Sequence, residues 1–222
     1  MEKKYKLTKE TINVVSKTLY RIEALRDFND VKKGDKGGFI EKEENLSQSD
    51  NCWVYGKAKV YGDAKVHDNA KVSGNVEVYG DAKVYDDAWV YGKARVFDKA
   101  KVYGHAEIFD DAKVYGDAKV YGDAWVYGKA EVFGNVEVCG DARIYDDAKV
   151  ESNGDYIVFK NWWSSGRYFT WTKSNDMWKV GCFYGTGKEL IDKAYRDSEI
   201  SGREYERIVK YVKTINNDLE IM

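Results

Sequence analysis

The chain contains no proline among its 222 residues. Proline cannot donate to a strand ladder, so its total absence suits a backbone in which nearly every N–H is engaged. Cysteine is scarce: Cys52, Cys139 and Cys182 are odd in number and unevenly spaced. That pattern suggests neither a disulfide framework nor a Cys-based zinc cluster, and it leads us to expect a reducing, cytoplasmic setting. Histidine occurs only as His67 and His105, so no three-histidine metal site can be assembled, and no cofactor is implied. Long apolar runs are missing too, and Met1-Glu2-Lys3-Lys4-Tyr5-Lys6 opens into nothing like a signal or membrane segment. Net charge is nearly nil, with 36 Lys+Arg against 38 Asp+Glu, and it divides as +1 for 1–50, −3 for 51–150 and 0 for 151–222. No segment is basic enough for a nucleic-acid footprint. Phosphate loops and nucleophile elbows are likewise absent from the sequence.

What the chain does have is a repeat. From Val54 to Val150 a Val or Ile returns at every sixth position, seventeen times without a slip. Four residues after each sits a small residue, Ala in fourteen of sixteen cases and Val at Val76 and Val136. A helix needs apolar residues at a period near 3.6, which six residues with a Gly or Asp in every unit cannot give. In extended chain, the small and branched residues of A-x-V share one side, the residue between them faces out, and Gly-Asp or Asp-Asp bends the chain. Three such sides make an eighteen-residue triangular coil, a parallel β-helix of about five and a half coils and roughly 25 Å in length.

The V-x-G-D-A-x unit resembles the hexapeptide repeat of left-handed β-helix proteins, a superfamily of mostly trimeric acyltransferases with zinc carbonic anhydrases and ice-binding members. The resemblance covers residues 54–150 and implies a fold more firmly than a function. Ice-binding relatives carry rows of Thr, and residues 51–150 contain none. Two histidines are too few for the carbonic anhydrase zinc site. The stretch Leu19-Tyr20-Arg21-Ile22-Glu23-Ala24-Leu25, continuing through Gly37-Gly38-Phe39-Ile40-Glu41 to Glu44-Asn45-Leu46-Ser47, resembles the leader of uncharacterised bacterial and phage β-helix proteins. Some of those are labelled acyltransferases on the strength of the repeat alone.

The expected fold is therefore mainly β: an N-terminal cap at 1–50, a hexapeptide β-helix at 51–150, and a small C-terminal α+β module at 151–222. In the cap, Tyr5–Leu7 and Leu19–Leu25 read as strands and residues 34–38 as a turn or loop, with Phe39, Ile40 and Leu46 covering the first coil. In the module, three strands are expected (155–160, 167–173 and 177–184), then two helices started by Thr186-Gly187-Lys188-Glu189 and Ser201-Gly202-Arg203-Glu204, both matching the capping box.

Folding the array at eighteen residues places Trp53, Trp89 and Trp125 in one column, alternating with Lys71, Glu107 and Arg143, and Lys65, Lys83, Lys101 and Lys119 in another. The Trp column offers either a flat binding surface or packing against a neighbouring subunit or the module. Thirteen of the sixteen positions after the branched residue are aromatic, and outward rings on three faces predict self-association; the resemblance to the hexapeptide-repeat family implies that the oligomer is a homotrimer. For catalysis, a general base is required, and His67 and His105 are the candidates for an acyl-CoA-dependent transferase, although no insertion supplies an acceptor pocket. The better functional candidate is the module, where Trp162, Trp163, Arg167, Tyr168, Lys173 and Asn175 interleave rings with cations and amides in expected loops. The sequence thus predicts a non-catalytic oligomeric binding protein without a membrane or nucleic-acid partner. The resemblance of its leader to phage and prophage proteins implies that it grips a host protein or a small nucleotide, as an inhibitor of host defence.

Overall fold

A computed structural model describes residues 3–220, with side chains through residue 217; the first and last two residues of the chain lie outside it. The chain opens with an antiparallel pair, β1 (Tyr5–Val14) and β2 (Lys17–Ala24), joined to β3 (Lys36–Ile40). A short 3-10 turn at Glu43–Asn45 leads into seventeen two-residue strands, β4 (Trp53–Val54) to β20 (Lys149–Val150). These stack in parallel register at eighteen-residue steps on three faces. The first face continues from β3 through Lys59, Glu77, Arg95, Lys113, Glu131 and Lys149. The second carries Trp53, Lys71, Trp89, Glu107, Trp125 and Arg143, and the third Lys65, Lys83, Lys101, Lys119 and Glu137. The fold is a hexapeptide-repeat left-handed β-helix.

The repeat explains this geometry residue by residue. The recurring Val/Ile and Ala side chains are all buried and form the continuous core of the rod; full burial of one Val contributes ~1.5–3 kcal/mol. At every corner from residue 56 to 146 the first bend residue has positive φ, and it is either Gly or Asp. Asp tolerates that region because its carboxylate bonds locally. Here Asp86, Asp98 and Asp110 each accept the N–H of the residue stacked eighteen positions on.

The rod is polar along its axis. N–H groups of each coil donate to carbonyls of the next, as from Trp53 to Ala70 and from Trp125 to Ala142. The first coil is thus left with free carbonyls and the last with free N–H groups. The N-terminal cap supplies donors: Phe39 N to Ala58 O, Glu41 N to Val60 O, Asn45 Nδ2 to Gly62 and Ala64 O, and Arg21 Nη1 to Gly56 O. The fully buried Lys4 donates to the carbonyls of Asp50 and Cys52 at 2.8 and 2.9 Å. Acceptors do the same work at the other end. Asn153, Thr170 and Ser174 take the N–H groups of Glu137, Arg143 and Lys149, one on each face.

Three local expectations need correction. Residues 36–40 form a strand, not a loop, because Gly37 and Gly38 let its backbone lie directly on the first coil: a Cβ on Gly37 would sit 2.5 Å from the Val54 carbonyl, and one on Gly38 would collide with that of Ala58. In the module the third expected strand breaks at Gly181 (φ 55°). The sheet is therefore four-stranded: β21 (Tyr156–Lys160), β22 (Tyr168–Thr172), β23 (Met177–Val180) and β24 (Phe183–Thr186).

Helices α1 (Gly187–Asp197) and α2 (Glu199–Glu220) follow. Thr186 and Glu189 form the expected capping box, but the second box does not form. Ser198 accepts the N–H of Ser201 instead, and Gly202 lies inside α2, where any Cβ would strike the Tyr195 ring. One face of the sheet packs on the helices through Phe169, Trp171, Trp178 and Val180. The other presents Tyr156 and Val158 to the rod core. No helix among the described residues is long and apolar enough to cross a membrane.

Candidate functional site

The connection between β21 and β22 is built around a buried asparagine. Asn161 Oδ1 accepts the N–H groups of Trp163 and Ser164 at 3.0 and 3.1 Å, its Nδ2 donates to Ser164 Oγ at 2.9 Å, and its own N–H pairs with the Arg167 carbonyl. Such an Asx-type turn fixes the loop from within. The fixed loop then holds two adjacent indoles in water: Trp162 is 72% exposed and Trp163 78%. Lys160 Nζ lies 4.3 Å from the Trp162 ring centre and 5.0 Å from that of Tyr168. Arg167 runs beside Gly181 and lines a shallow cavity with Cys182, Phe183, Tyr184 and Lys193. Trp162, Trp163, Arg167 and Tyr168 therefore share one end of the hairpin. A rigid aromatic pair flanked by cations is the composition of a binding hot spot, where large rings add contact area at small entropic cost.

The other two residues proposed with them do not join this cluster. Lys173 and Asn175 lie beyond the opposite end of β22, about 17 Å away along a five-residue strand. Asn175 holds the module on the rod: its Nδ2 donates to Asp147 Oδ1 at 3.1 Å, and its Oδ1 accepts from Thr172. Tyr184 adds a hydroxyl bond to Asp146 Oδ2 at 3.1 Å and an edge-on contact with Tyr145; burial, and then that bond, raise its pKa. Lys173 lines a separate cavity with Trp171, Asp176, Lys213, Asn216 and Asn217.

The Trp column divides three ways. Trp53 is 1% exposed and stands edge-on to Tyr5 and Phe28. It presents no face to a ligand, because the cap folds over it. Trp125 lies under the Arg143 guanidinium, 3.6 Å from the ring centre. Trp89 is 43% exposed and borders a groove on the second face.

The aromatic positions of the repeat do not splay outward as separate rings. They stack into ladders: Tyr61, Tyr79, Phe97, Tyr115 and Phe133 succeed one another at 4.8–5.0 Å and within 5° of parallel. Each ring shields the next, so the ladder rings are half-buried or buried. Their exposure therefore demands less of a second subunit than the sequence suggests. Burial pushes the Tyr127 hydroxyl up to about 12.

His67 tops one of these ladders, stacked 5.0 Å over Tyr85, with Nδ1 2.9 Å from Asp68 Oδ2. His105 is an exposed corner residue on a different turn. Among the described residues no loop leaves the rod beside either histidine. Lys4, which seals the first coil, escaped the sequence reading because a Lys near the start of a chain carries no local signal of burial.

The fold and the exposed loop together define a capped β-solenoid with an aromatic appendage. No family model matches the chain. Over 37 residues it is 51% identical to the "Uncharacterized acetyltransferase YdcK" of Escherichia coli (strain K12). That stretch is 17% of this chain and 11% of the Escherichia coli protein, so the chain spans about a tenth of the length of the curated relative it matches.

Proposed function

We propose that the chain is a non-catalytic binding protein whose rod self-associates, as a trimer by the resemblance of its repeat, and displays the Trp162–Trp163 loop to a protein partner. One observation carries this: a loop locked by the buried Asn161 keeps two neighbouring indoles 72% and 78% exposed. Rings of that size normally contribute their burial to the core of a small domain, and Trp171 and Trp178 do so here. In the phage or prophage setting suggested by the leader, the partner is a protein of the host's defence. The paired substitution Trp162→Ala/Trp163→Ala tests the proposal. The variant should keep the melting temperature of the parent, because neither ring packs into the core, and lose partner capture. Retained capture would sink the proposal.

A second reading, acyl transfer from an acyl-CoA by His67 or His105, is favoured by the 37-residue match to a protein named as an acetyltransferase. It predicts that acetyl-CoA raises the melting temperature and that His105→Ala or His67→Ala abolishes turnover.

A further inference from the structure

The aromatic ladder of the second face has a missing rung. Its column runs Tyr55, Ser73, Tyr91, Phe109, Tyr127, Tyr145. From Tyr91 onward the ring centres follow one another at 4.8, 4.6 and 4.4 Å. Ser73 supplies no ring, so Tyr55 and Tyr91 stand two coils apart, roughly 9.5 Å by strand spacing.

The two related tryptophans show what the gap does. Beside the unbroken part of the ladder, Trp125 stands edge-on to Phe109 and Tyr127, at 76° and 79°. Beside the gap, Trp89 tilts to 38° over Tyr91, with centres 4.5 Å apart, and its indole N–H donates to Ser73 Oγ at 3.3 Å. A groove of about 700 Å³ opens above it. Trp89 and Tyr55 both line it, together with Asn29 and Asp30 of the cap. Tyr55 donates to Asp30 Oδ1 at 2.8 Å, and Lys71 Nζ approaches the same oxygen at 3.6 Å. Polar groups run along the edge: Asn51 Nδ2 donates to Asn69 Oδ1 and Asn69 Nδ2 to Asp87 Oδ1, each at 3.1 Å.

We propose that this groove binds the base of a nucleoside or nucleotide. A flat π ring lies on the exposed face of Trp89, which is 43% open where the ladder is interrupted, as bases do on aromatic platforms. The edge of a base presents both donors and acceptors. The Asn69 amide offers both in return, and the Asp87 carboxylate accepts. Lys71 is the cation placed to meet a phosphate on the same ligand. A saturated sugar ring would contact the open face of Trp89 but has no π face to extend the ladder. The site is on the rod and is independent of the Trp162–Trp163 loop, so the two proposals stand or fall separately.

Isothermal titration of the full chain with AMP, GMP, CMP and UMP, and with methyl glucoside as the sugar probe, tests it. At least one mononucleotide should bind the parent protein and methyl glucoside should not. Ser73→Tyr restores the rung found at most repeat positions, so it should keep or raise the melting temperature and abolish binding. Trp89→Ala should weaken binding by about tenfold or more, the loss of one stacking platform. Trp163→Ala should leave it unchanged. The proposal is overturned if no mononucleotide binds at millimolar concentration, if binding survives Ser73→Tyr, or if only the sugar binds.

Discussion

The Thr170 hydroxyl accepts the backbone N–H of Arg143 at 3.0 Å, and through that bond a side chain of the C-terminal sheet takes the place of the next coil. Thr170 is buried, so the N–H has no water to turn to. The substitution Thr170→Val keeps the shape and removes the acceptor. It should cost about 1–3 kcal/mol, the penalty of an unsatisfied buried donor, measured by urea denaturation. Amide exchange at Arg143 should accelerate while exchange at Trp125, bonded within the rod, stays slow.

At the opposite end Lys4 plays the complementary part. Burial lowers its pKa, and its ammonium is committed to the Asp50 and Cys52 carbonyls. Lys4→Met retains the stem and strands both acceptors. A loss of about 2–4 kcal/mol is expected. An unchanged denaturation midpoint would show that the cap does not depend on this side chain.

The ladders predict an alkaline limit to stability. Burial raises the pKa of the ladder residue Tyr127, and of Tyr156 where the C-terminal sheet meets the rod, to about 12 from the ordinary tyrosine value of about 10, and it raises those of Tyr79, Tyr85 and Tyr103 as well. A tyrosine raised in the folded state holds its proton where the unfolded chain has lost it. The stabilisation is therefore complete below pH 10 and falls away as pH rises from about 10 to about 12. Denaturation midpoints should be flat from pH 7 to 9 and drop above 10. Absorbance titration at the phenolate band should show the ladder tyrosines ionising above the ordinary tyrosine range.

Corner chemistry separates backbone strain from hydrogen bonding. Asp110 sits at φ 56° and its Oδ2 accepts the Gly128 N–H at 3.3 Å. Asp110→Gly loses the bond but relieves the backbone, whereas Asp110→Ala loses the bond and keeps the strain. The Ala variant should be the less stable of the two by about 1–2 kcal/mol, as read by thermal or urea melts.

The rod was legible in the sequence because one six-residue period specifies strand, corner and core together; Val54 and Ala58 need no distant information to find their side. The columns followed by counting eighteen. What escaped depended on the third dimension. Gly37 and Gly38 look like a turn until the first coil is placed against them. Gly181 is a break that residues 177–184 disguise as one strand. Asn175 reads as a ligand residue until the rod's Asp147 is seen beneath it. Trp53, Trp89 and Trp125 share one repeat position, and only their neighbours (the cap, the Ser73 gap and Arg143) make them buried, exposed or covered. The Trp162–Trp163 loop was recognised from composition, and the role of Asn161 in holding it was not.

Site-specific photo-crosslinking in cells of the source organism tests the central claim most directly. A photoreactive residue replaces Ser165, beside the two indoles in the same loop, in one protein and the corner residue Lys93 in another. The account predicts a discrete protein adduct from position 165, lost on Trp162→Ala/Trp163→Ala, and none from position 93. Adducts from the rod position alone, or an adduct from position 165 that survives Trp162→Ala/Trp163→Ala unchanged, would contradict it.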